Sequence, residues 1–231
     1  MKLSQGLAAI VLTMSAAAAH AEVTGTVTAT TDYDFRGFTQ TAQGPALQGS
    51  IDYAHESGFY AGAWGSNVDF GHGSGANVEV DLYAGWRGGE EIAYDFGAIY
   101  YTYPGADYNF DFPEIYASAT WKMLTGKVWY SWDFGNLNKS GEYYQLDANI
   151  PLPANFTLGL HSGYSDGSVW GSDSYFDWSA GVSYTMGNFN LNLKWVDGSD
   201  YQPGNNAPHD VFSTDARAIF SVSTTFPWSK E

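Results

Sequence analysis

Residues 77–87, Asn-Val-Glu-Val-Asp-Leu-Tyr-Ala-Gly-Trp-Arg, alternate polar or small side chains with apolar ones. The apolar residues stand at positions 78, 80, 82, 84 and 86. Because successive side chains of a β-strand point to opposite faces, this stretch predicts a strand with one apolar and one polar surface.

The same two-residue period recurs from Val23 to the end of the chain and predicts an all-β protein of about twelve strands. Two of these strands, 59–68 and 92–103, carry aromatic residues at both parities, so the sequence leaves their facing open. The predicted strands are 23–35, 46–55, 59–68, 77–87, 92–103, 113–121, 126–134, 143–150, 155–164, 174–185, 188–196 and 214–226.

The connections between these strands alternate in length along the chain. The short ones, at 56–58, 88–91, 122–125, 151–154 and 186–187, separate long ones at 36–45, 69–76, 104–112, 135–142, 165–173 and 197–213. Long loops on one rim, with short turns and both termini on the other, are typical of an outer-membrane barrel.

Composition indicates that the apolar face meets lipid. Charged residues make up only 15% of the chain, against about 25% in an ordinary soluble domain. Aromatic residues make up 17% and gather near the predicted strand ends, as at two membrane interfaces. Since lipid offers no partner to a free sheet edge, we expect a closed antiparallel up-and-down transmembrane β-barrel in outer-membrane lipid.

The first 21 residues have the features of a secretory signal peptide. Lys2 precedes an apolar run from Leu7 to Met14, and small residues lead to Ala19-His20-Ala21. We expect residues 1–21 to be removed and residues 22–231 to form one barrel in the outer membrane of a Gram-negative bacterium, with periplasmic termini. The sequence contains no cysteine.

The chain is strongly acidic, with a formal charge of −16 that becomes −17 when Lys2 leaves with the signal. Nucleic acid is therefore not an expected partner. The polar face predicts a lumen lined by Asp34, Arg36, Glu79, Asp81, Arg87, Asp95, Glu114, Lys127, Asp133, Asp147, Asp177, Lys194 and Arg217.

Twelve strands predict a narrow lumen, and the acidic excess favours small polar or cationic solutes. A small-solute channel is thus the leading hypothesis. The alternative is a non-conducting structural or recognition barrel that uses its long outer loops and pairs its charges across a closed interior. Arg36 stands two positions from Asp34, so it is either a constriction or ligand residue or half of an Arg–carboxylate pair that fixes the first loop.

A third hypothesis, a lipid hydrolase, finds no support in the residue pattern. The adjacent His161 and Ser162 point to opposite faces of their strand and so cannot share a proton. The spacing of histidines and carboxylates predicts no metal site, and the acidic loop with Asp197, Asp200 and Asp210 fits no EF-hand. We therefore expect no enzyme activity, no catalytic residues and no cofactor.

Several motifs resemble a proteobacterial family of conserved hypothetical outer-membrane proteins, the porins of the TorF type. They are DYDFRGFTQT (32–41), PALQG (45–49), DYAHESGFY (52–60), WGSNV (64–68), EVDLYAG (79–85) and YYTYPG (100–105). The resemblance implies an outer-membrane barrel whose substrate is not settled and whose oligomeric state is open. Many such barrels end on an aromatic residue that the assembly machinery reads, whereas here Phe226 is followed by five more residues.

Overall fold

The computed structural model describes residues 21–199 and 211–228. Over these residues the chain forms strands and one short 3-10 turn at Phe134–Asn136. The strands are β1 (Glu22–Thr30), β2 (Asp34–Phe35), β3 (Phe38–Thr39), β4 (Ala46–Ala54), β5 (Phe59–Asn67), β6 (Val78–Gly88), β7 (Ile92–Thr102), β8 (Phe112–Trp121), β9 (Leu124–Ser131), β10 (Gly141–Pro151), β11 (Phe156–Asp166), β12 (Tyr175–Met186), β13 (Phe189–Gly198) and β14 (Arg217–Phe226).

Within the described ranges, twelve of the strands close into one antiparallel barrel. Each is hydrogen-bonded to its neighbours in sequence, and β1 completes the ring by pairing with both β4 and β14. Gly25, for example, stands opposite Ile51 on one side and Phe226 on the other. Closure satisfies the backbone groups that lipid would leave without partners, so the predicted twelve-stranded closed barrel is confirmed.

The strands β2 and β3 do not belong to the barrel wall. They pair only with each other, through Asp34–Thr39 and Phe35–Phe38, and form a small hairpin between β1 and β4. The prediction of a first strand over 23–35 is therefore wrong at its end, since β1 stops at Thr30. Tyr33 and Phe35 continue the aromatic alternation, but their rings pack against Trp64 and Tyr101 rather than against lipid.

The two faces of the wall differ as the alternation predicts. Large apolar residues such as Leu47, Phe59 and Leu193 are 65%, 63% and 57% exposed on the outside. Polar residues of the other parity face inward, and Glu79, beside the exposed Val78, is buried there. The outer surface is therefore a continuous apolar surface suited to lipid.

The structure also decides the facing of the two strands that the sequence left open. On β5, Phe59 is exposed and Tyr60 is buried. On β7, Tyr100 is exposed and Tyr101 is buried. Both parities carry aromatics because the lumen here contains an aromatic cluster in which Tyr60, Tyr101 and Phe112 take part.

The two rims differ in their connections. The tight turns join β4 to β5, β6 to β7, β8 to β9, β10 to β11 and β12 to β13, at the rim where β1 begins and β14 ends. After β14, the indole of Trp228 stacks on Phe226 and donates a hydrogen bond to Thr224 Oγ1 at 2.9 Å. The proposed signal up to residue 20 and most of the acidic loop, including Asp200 and Asp210, lie outside the described residues. In the described part of the chain, no helix is long and apolar enough to span a membrane.

Candidate functional site: the barrel lumen

The hairpin β2–β3 lies across the inside of the barrel. One end contacts Lys194 on β13 and Arg217 on β14, and the other contacts Glu114 on β8. Around the ring β8 is six strands away from β14, so a segment that touches both must cross the lumen. We call this segment, residues 31–45, the lumen hairpin.

Three ion pairs hold the near end of the lumen hairpin. Asp34 accepts hydrogen bonds from Lys194 Nζ at 2.8 Å and from Arg217 Nη2 at 2.9 Å. Arg217 Nε also donates to Asp32 Oδ2 at 2.5 Å. Both carboxylates are therefore paired with basic residues of the wall.

Arg36 holds the far end. Its guanidinium donates two hydrogen bonds to the Glu114 carboxylate, at 2.8 and 2.6 Å, and the Glu114 side chain is fully buried. The same guanidinium lies over the rings of Phe35, Trp129 and Tyr143 at 4.6–5.2 Å from their centroids. The two planar groups meet in the bidentate geometry that arginine offers to a carboxylate.

The placement of Arg36 corrects one expectation from the sequence. Asp34 and Arg36 do not share one strand face, because Arg36 lies in the turn between β2 and β3 with a φ of +52°. Its carboxylate partner is Glu114, 78 residues away in the sequence. Gly37 follows with a φ of +87°, and a Cβ there would lie 2.8 Å from Asp177 Cβ, so only glycine fits this close approach.

The ion pairs shift the pKa values of the charged side chains in the lumen hairpin. Burial by itself raises the pKa of the Asp34 carboxyl, but the charges of Lys194 and Arg217 outweigh burial and hold that pKa below its ordinary value. Burial likewise disfavours the charged form of Arg36, whereas Glu114 favours it and keeps the pKa of the guanidinium above its usual range. Both groups are therefore ionised at neutral pH.

The burial of the inward-facing side chains changes along the length of the lumen. On β10, Gly141 and Tyr143 near the long loops are buried, whereas the inward-facing Gln145, Asp147 and Asn149 farther down are only half-buried. Strand β6 shows the same gradient. On these two strands the lumen is filled at the long-loop rim, where the lumen hairpin lies, and more open toward the short-turn rim, although Asp52, Tyr60 and Ser183 on other strands are buried there.

A histidine that sequence reasoning considered only as a partner of Ser162 lies at the centre of a polar cluster. His161 contacts Asp147 through Nδ1 at 2.7 Å and Asp177 through Nε2 at 2.9 Å. The Tyr143 hydroxyl lies 3.0 Å from the same Nε2. The signal that could have revealed this is register, since Asp147 and His161 are direct cross-strand partners.

The remaining candidate residues fall into three surroundings. Glu79 and Asp81 are buried side by side on β6, and each keeps one carboxylate oxygen without a hydrogen-bond partner among the described residues. Asp95 accepts a hydrogen bond from the Tyr60 hydroxyl at 2.6 Å. Asp133 lies beyond the end of β9, where its carboxylate accepts the backbone N–H of Asn138 at 2.6 Å.

Aromatic rings surround the other two basic candidates. Arg87 lies 4.8 Å from the centroid of the Tyr60 ring. Lys127 Nζ lies 3.8 Å from the centroid of Tyr116 and 4.0 Å from that of Trp129. Tyr60 and Tyr116 were not predicted as lumen residues, because aromatic side chains near strand ends are typical of the membrane interfaces.

The described residues bring no three histidine, cysteine or acidic side chains together in a group that could hold a metal ion. The acidic side chains engage basic residues, tyrosine hydroxyls and backbone amides instead, as the contacts above show. The arrangement is that of a lumen with fixed charges.

A closed twelve-stranded barrel with an apolar exterior and a charged interior defines the class: the chain has the fold of porin-like outer-membrane barrels. The chain belongs to the family described as "Bacterial protein of unknown function (Gcw_chp)", whose model matches residues 14–226. Comparison with curated proteins gives no match.

Solved structures with a similar fold are remote in sequence. A KdgM porin is 10% identical with a TM-score of 0.54, over 90% of this chain and 99% of that one. A KdgM porin in complex with disordered oligogalacturonate is 10% identical with a TM-score of 0.52, over 92% and 100%. The COG4313 outer membrane channel from Pseudomonas putida F1 is 10% identical with a TM-score of 0.47, over 91% and 96%.

Proposed function

We propose that this protein is a narrow outer-membrane channel for small polar solutes, with a preference for cations. The observation that carries the proposal is the lumen itself, which is lined by charged side chains, half-open at the short-turn rim and crossed by the lumen hairpin near the long loops. In a barrel of this size a segment folded inward sets the narrowest point, and the charges there select among solutes.

The cation preference rests on the balance of charges inside the lumen. Arg36 and Arg217 are paired with carboxylates, and the other acidic residues outnumber the basic residues that remain. Asp95 and Asp147 are the clearest surplus, since both are half-buried inside the lumen and no Lys or Arg side chain of the described residues forms an ion pair with either. Their negative potential attracts cations to the inner wall between the lumen hairpin and the short-turn rim.

The biological setting is part of the same proposal. The signal peptide, the periplasmic termini, the TorF-type porin resemblance and recognition by the barrel-assembly machinery all belong to an exported outer-membrane protein. One neighbour was solved in complex with oligogalacturonate, so uronate oligomers belong among the solutes to be tested.

Conductance of the purified, folded barrel in a planar bilayer tests the proposal. We expect discrete channel events in KCl, and a reversal potential in a KCl gradient that shows preference for K⁺. The double variant Asp95→Asn, Asp147→Asn should reduce that preference, whereas the control Glu90→Gln, in an exposed turn, should leave it unchanged. A well-folded sample that gives no ion-dependent events refutes the channel.

The second candidate is a non-conducting structural or recognition barrel. It is favoured by the burial of side chains in the half of the lumen near the long loops. Glu114 and Thr39 are 0% exposed, so the lumen hairpin packs tightly against the wall. The same bilayer experiment separates the candidates, because a non-conducting barrel gives no channel events at any voltage.

We expect no hydrolase activity from this barrel. Both ring nitrogens of His161 are engaged by carboxylates, and its neighbour in sequence, Ser162, lies on the opposite side of strand β11. Turnover of phospholipid by the purified protein would overturn this part of the proposal.

A further inference from the structure

Two basic residues of the lumen stand apart from the others. Arg36, Lys194 and Arg217 each form an ion pair with a carboxylate. For Lys127 and Arg87, no carboxylate oxygen of the described residues lies within 4.0 Å of the charged nitrogens. Their positive charges are therefore uncompensated by direct contact.

The carboxylates near Lys127 are committed to other donors. Asp95 accepts the Tyr60 hydroxyl, and Glu114 is held by both terminal nitrogens of Arg36. The third one, Asp147, contacts His161 at 2.7 Å and accepts the Gln145 amide at 2.6 Å. Lys127 thus lies among acidic residues without being paired to one.

Aromatic rings hold the two cations in place. Lys127 lies against Tyr116 and Trp129, and Arg87 lies over Tyr60. The hydroxyls of Tyr60 and Tyr116 are hydrogen-bonded to each other, so the tyrosine pair stands between the two cations. Such contacts fix a cation without neutralising it and leave it able to bind an anion.

Lys127 and Arg87 belong to one row across the wall. Arg87 is the cross-strand partner of Asp95, Asp95 of Ser118, and Ser118 of Lys127. Both cations are half-buried, in the half of the lumen nearer the short-turn rim. A solute that enters from that rim reaches them without passing the lumen hairpin.

The opposite wall carries a group of polar, uncharged side chains. Strand β14 lies six strands from β8 around the ring, and its inward positions there include Ser221 and Ser223. The neighbouring strands contribute Asn192 on β13 and Thr26 on β1. These hydroxyl and amide groups donate and accept hydrogen bonds, as the hydroxyls of a solute require.

The geometry points to a binding site in the half-open part of the lumen for a small hydroxylated carboxylate, with Lys127 as its anchor and Arg87 beside it. The solute carboxylate accepts a charge-assisted hydrogen bond from Lys127, and its hydroxyls face the serine, threonine and asparagine wall. The inference rests on the proposed channel function and adds a solute class to it. The acidic remainder of the lumen governs small ions, whereas this site retains an organic anion locally.

Titration calorimetry on the folded full-length mature barrel in detergent tests the site, with gluconate as the probe and sorbitol as its uncharged counterpart. We expect gluconate to bind, sorbitol to bind at least about tenfold more weakly, and Lys127→Gln to weaken gluconate binding about tenfold or more. Lys127→Arg should restore most of the affinity. The matched control Lys139→Gln, which removes an exposed loop charge, should have no effect.

Heat-modifiable gel mobility of every variant verifies that the barrel is folded. Equal gluconate affinity in the wild type, Lys127→Gln and Lys139→Gln overturns the site, as does an absence of gluconate binding to the wild type. Either result leaves the channel proposal intact if the protein conducts ions. Binding that depends on Lys127 in a protein without channel events refutes the channel and retains the site.

Discussion

Replacing Arg36 with alanine should release the far end of the lumen hairpin. Arg36 donates two hydrogen bonds to Glu114, whose side chain is 0% exposed, and it lies among three aromatic rings. Removal of one partner from a buried ion pair costs about 3–5 kcal/mol, because the other charge remains buried without compensation. A cost of about 4 kcal/mol lowers the equilibrium constant for docking of the hairpin roughly a thousandfold.

Two measurements read out this change. Single-channel conductance in a planar bilayer should rise or become noisier, since the segment that crosses the lumen is tethered at one end only. Heat-modifiable gel mobility should show a lower temperature of unfolding. Both effects follow from the same lost contact, so they should appear together.

The double variant Arg36→Ala, Glu114→Gln is the matched control. It removes the tether but leaves no unpaired buried charge, so most of the thermal stability should return while the conductance remains altered. Unchanged conductance together with unchanged heat stability in Arg36→Ala would refute the role of Arg36 both as a constriction residue and as a fixing pair.

Three further expectations concern the hairpin, the wall and the lumen. The pKa of Asp34 is held below its ordinary 3.8, so its ion pairs stabilise the hairpin fully above pH 3.8 and are lost as the pH falls through the lower pKa of the folded state. Conductance should rise at that pH, and the rise should be smaller in Asp34→Asn. Identical acid profiles of conductance in the wild type and the variant would contradict this. Leu193→Lys, on the lipid face at mid-strand, should lower the free energy of unfolding by about 2–4 kcal/mol in urea unfolding from lipid vesicles, whereas the inward Asn192→Lys should lower it less. Equal losses in the two variants would show that the assignment of the lipid face and the lumen face is wrong. Tyr83→Phe removes the hydroxyl that donates to the buried Asp52 and should cost about 1–3 kcal/mol of unfolding free energy in the same assay. No loss of stability would mean that water replaces the hydroxyl and that the Asp52 carboxylate is solvated.

The barrel architecture could be predicted because its signals are local. Alternation with a period of two identifies each strand, and the regular sorting of long and short connections identifies an antiparallel meander. The twelve strands, their antiparallel order and the closure of β1 on β14 agree with that prediction. The end of the first strand disagrees, because the aromatic alternation at Tyr33 and Phe35 continues after the chain has left the wall.

The candidate lumen residues could be named from parity, but their partners could not. Parity assigned Glu114 and Lys194 to the polar face, and the structure places both on the inside of the wall. Arg36 was considered with Asp34, its neighbour in sequence, although its partner is Glu114 on a distant strand. The contacts of His161 were not predicted, because its partners come from two other strands.

The sequence by itself determined that this chain is an alternating, antiparallel barrel with an apolar face for lipid, since a side chain's face depends only on its position along its own strand. Only the tertiary structure decided that residues 31–45 turn inward, that Arg36 meets Glu114 across the lumen and that Lys127 remains without a carboxylate. These contacts depend on how the ring closes and on which rows of side chains then face one another. That geometry joins strands far apart in the chain, and no local period encodes it.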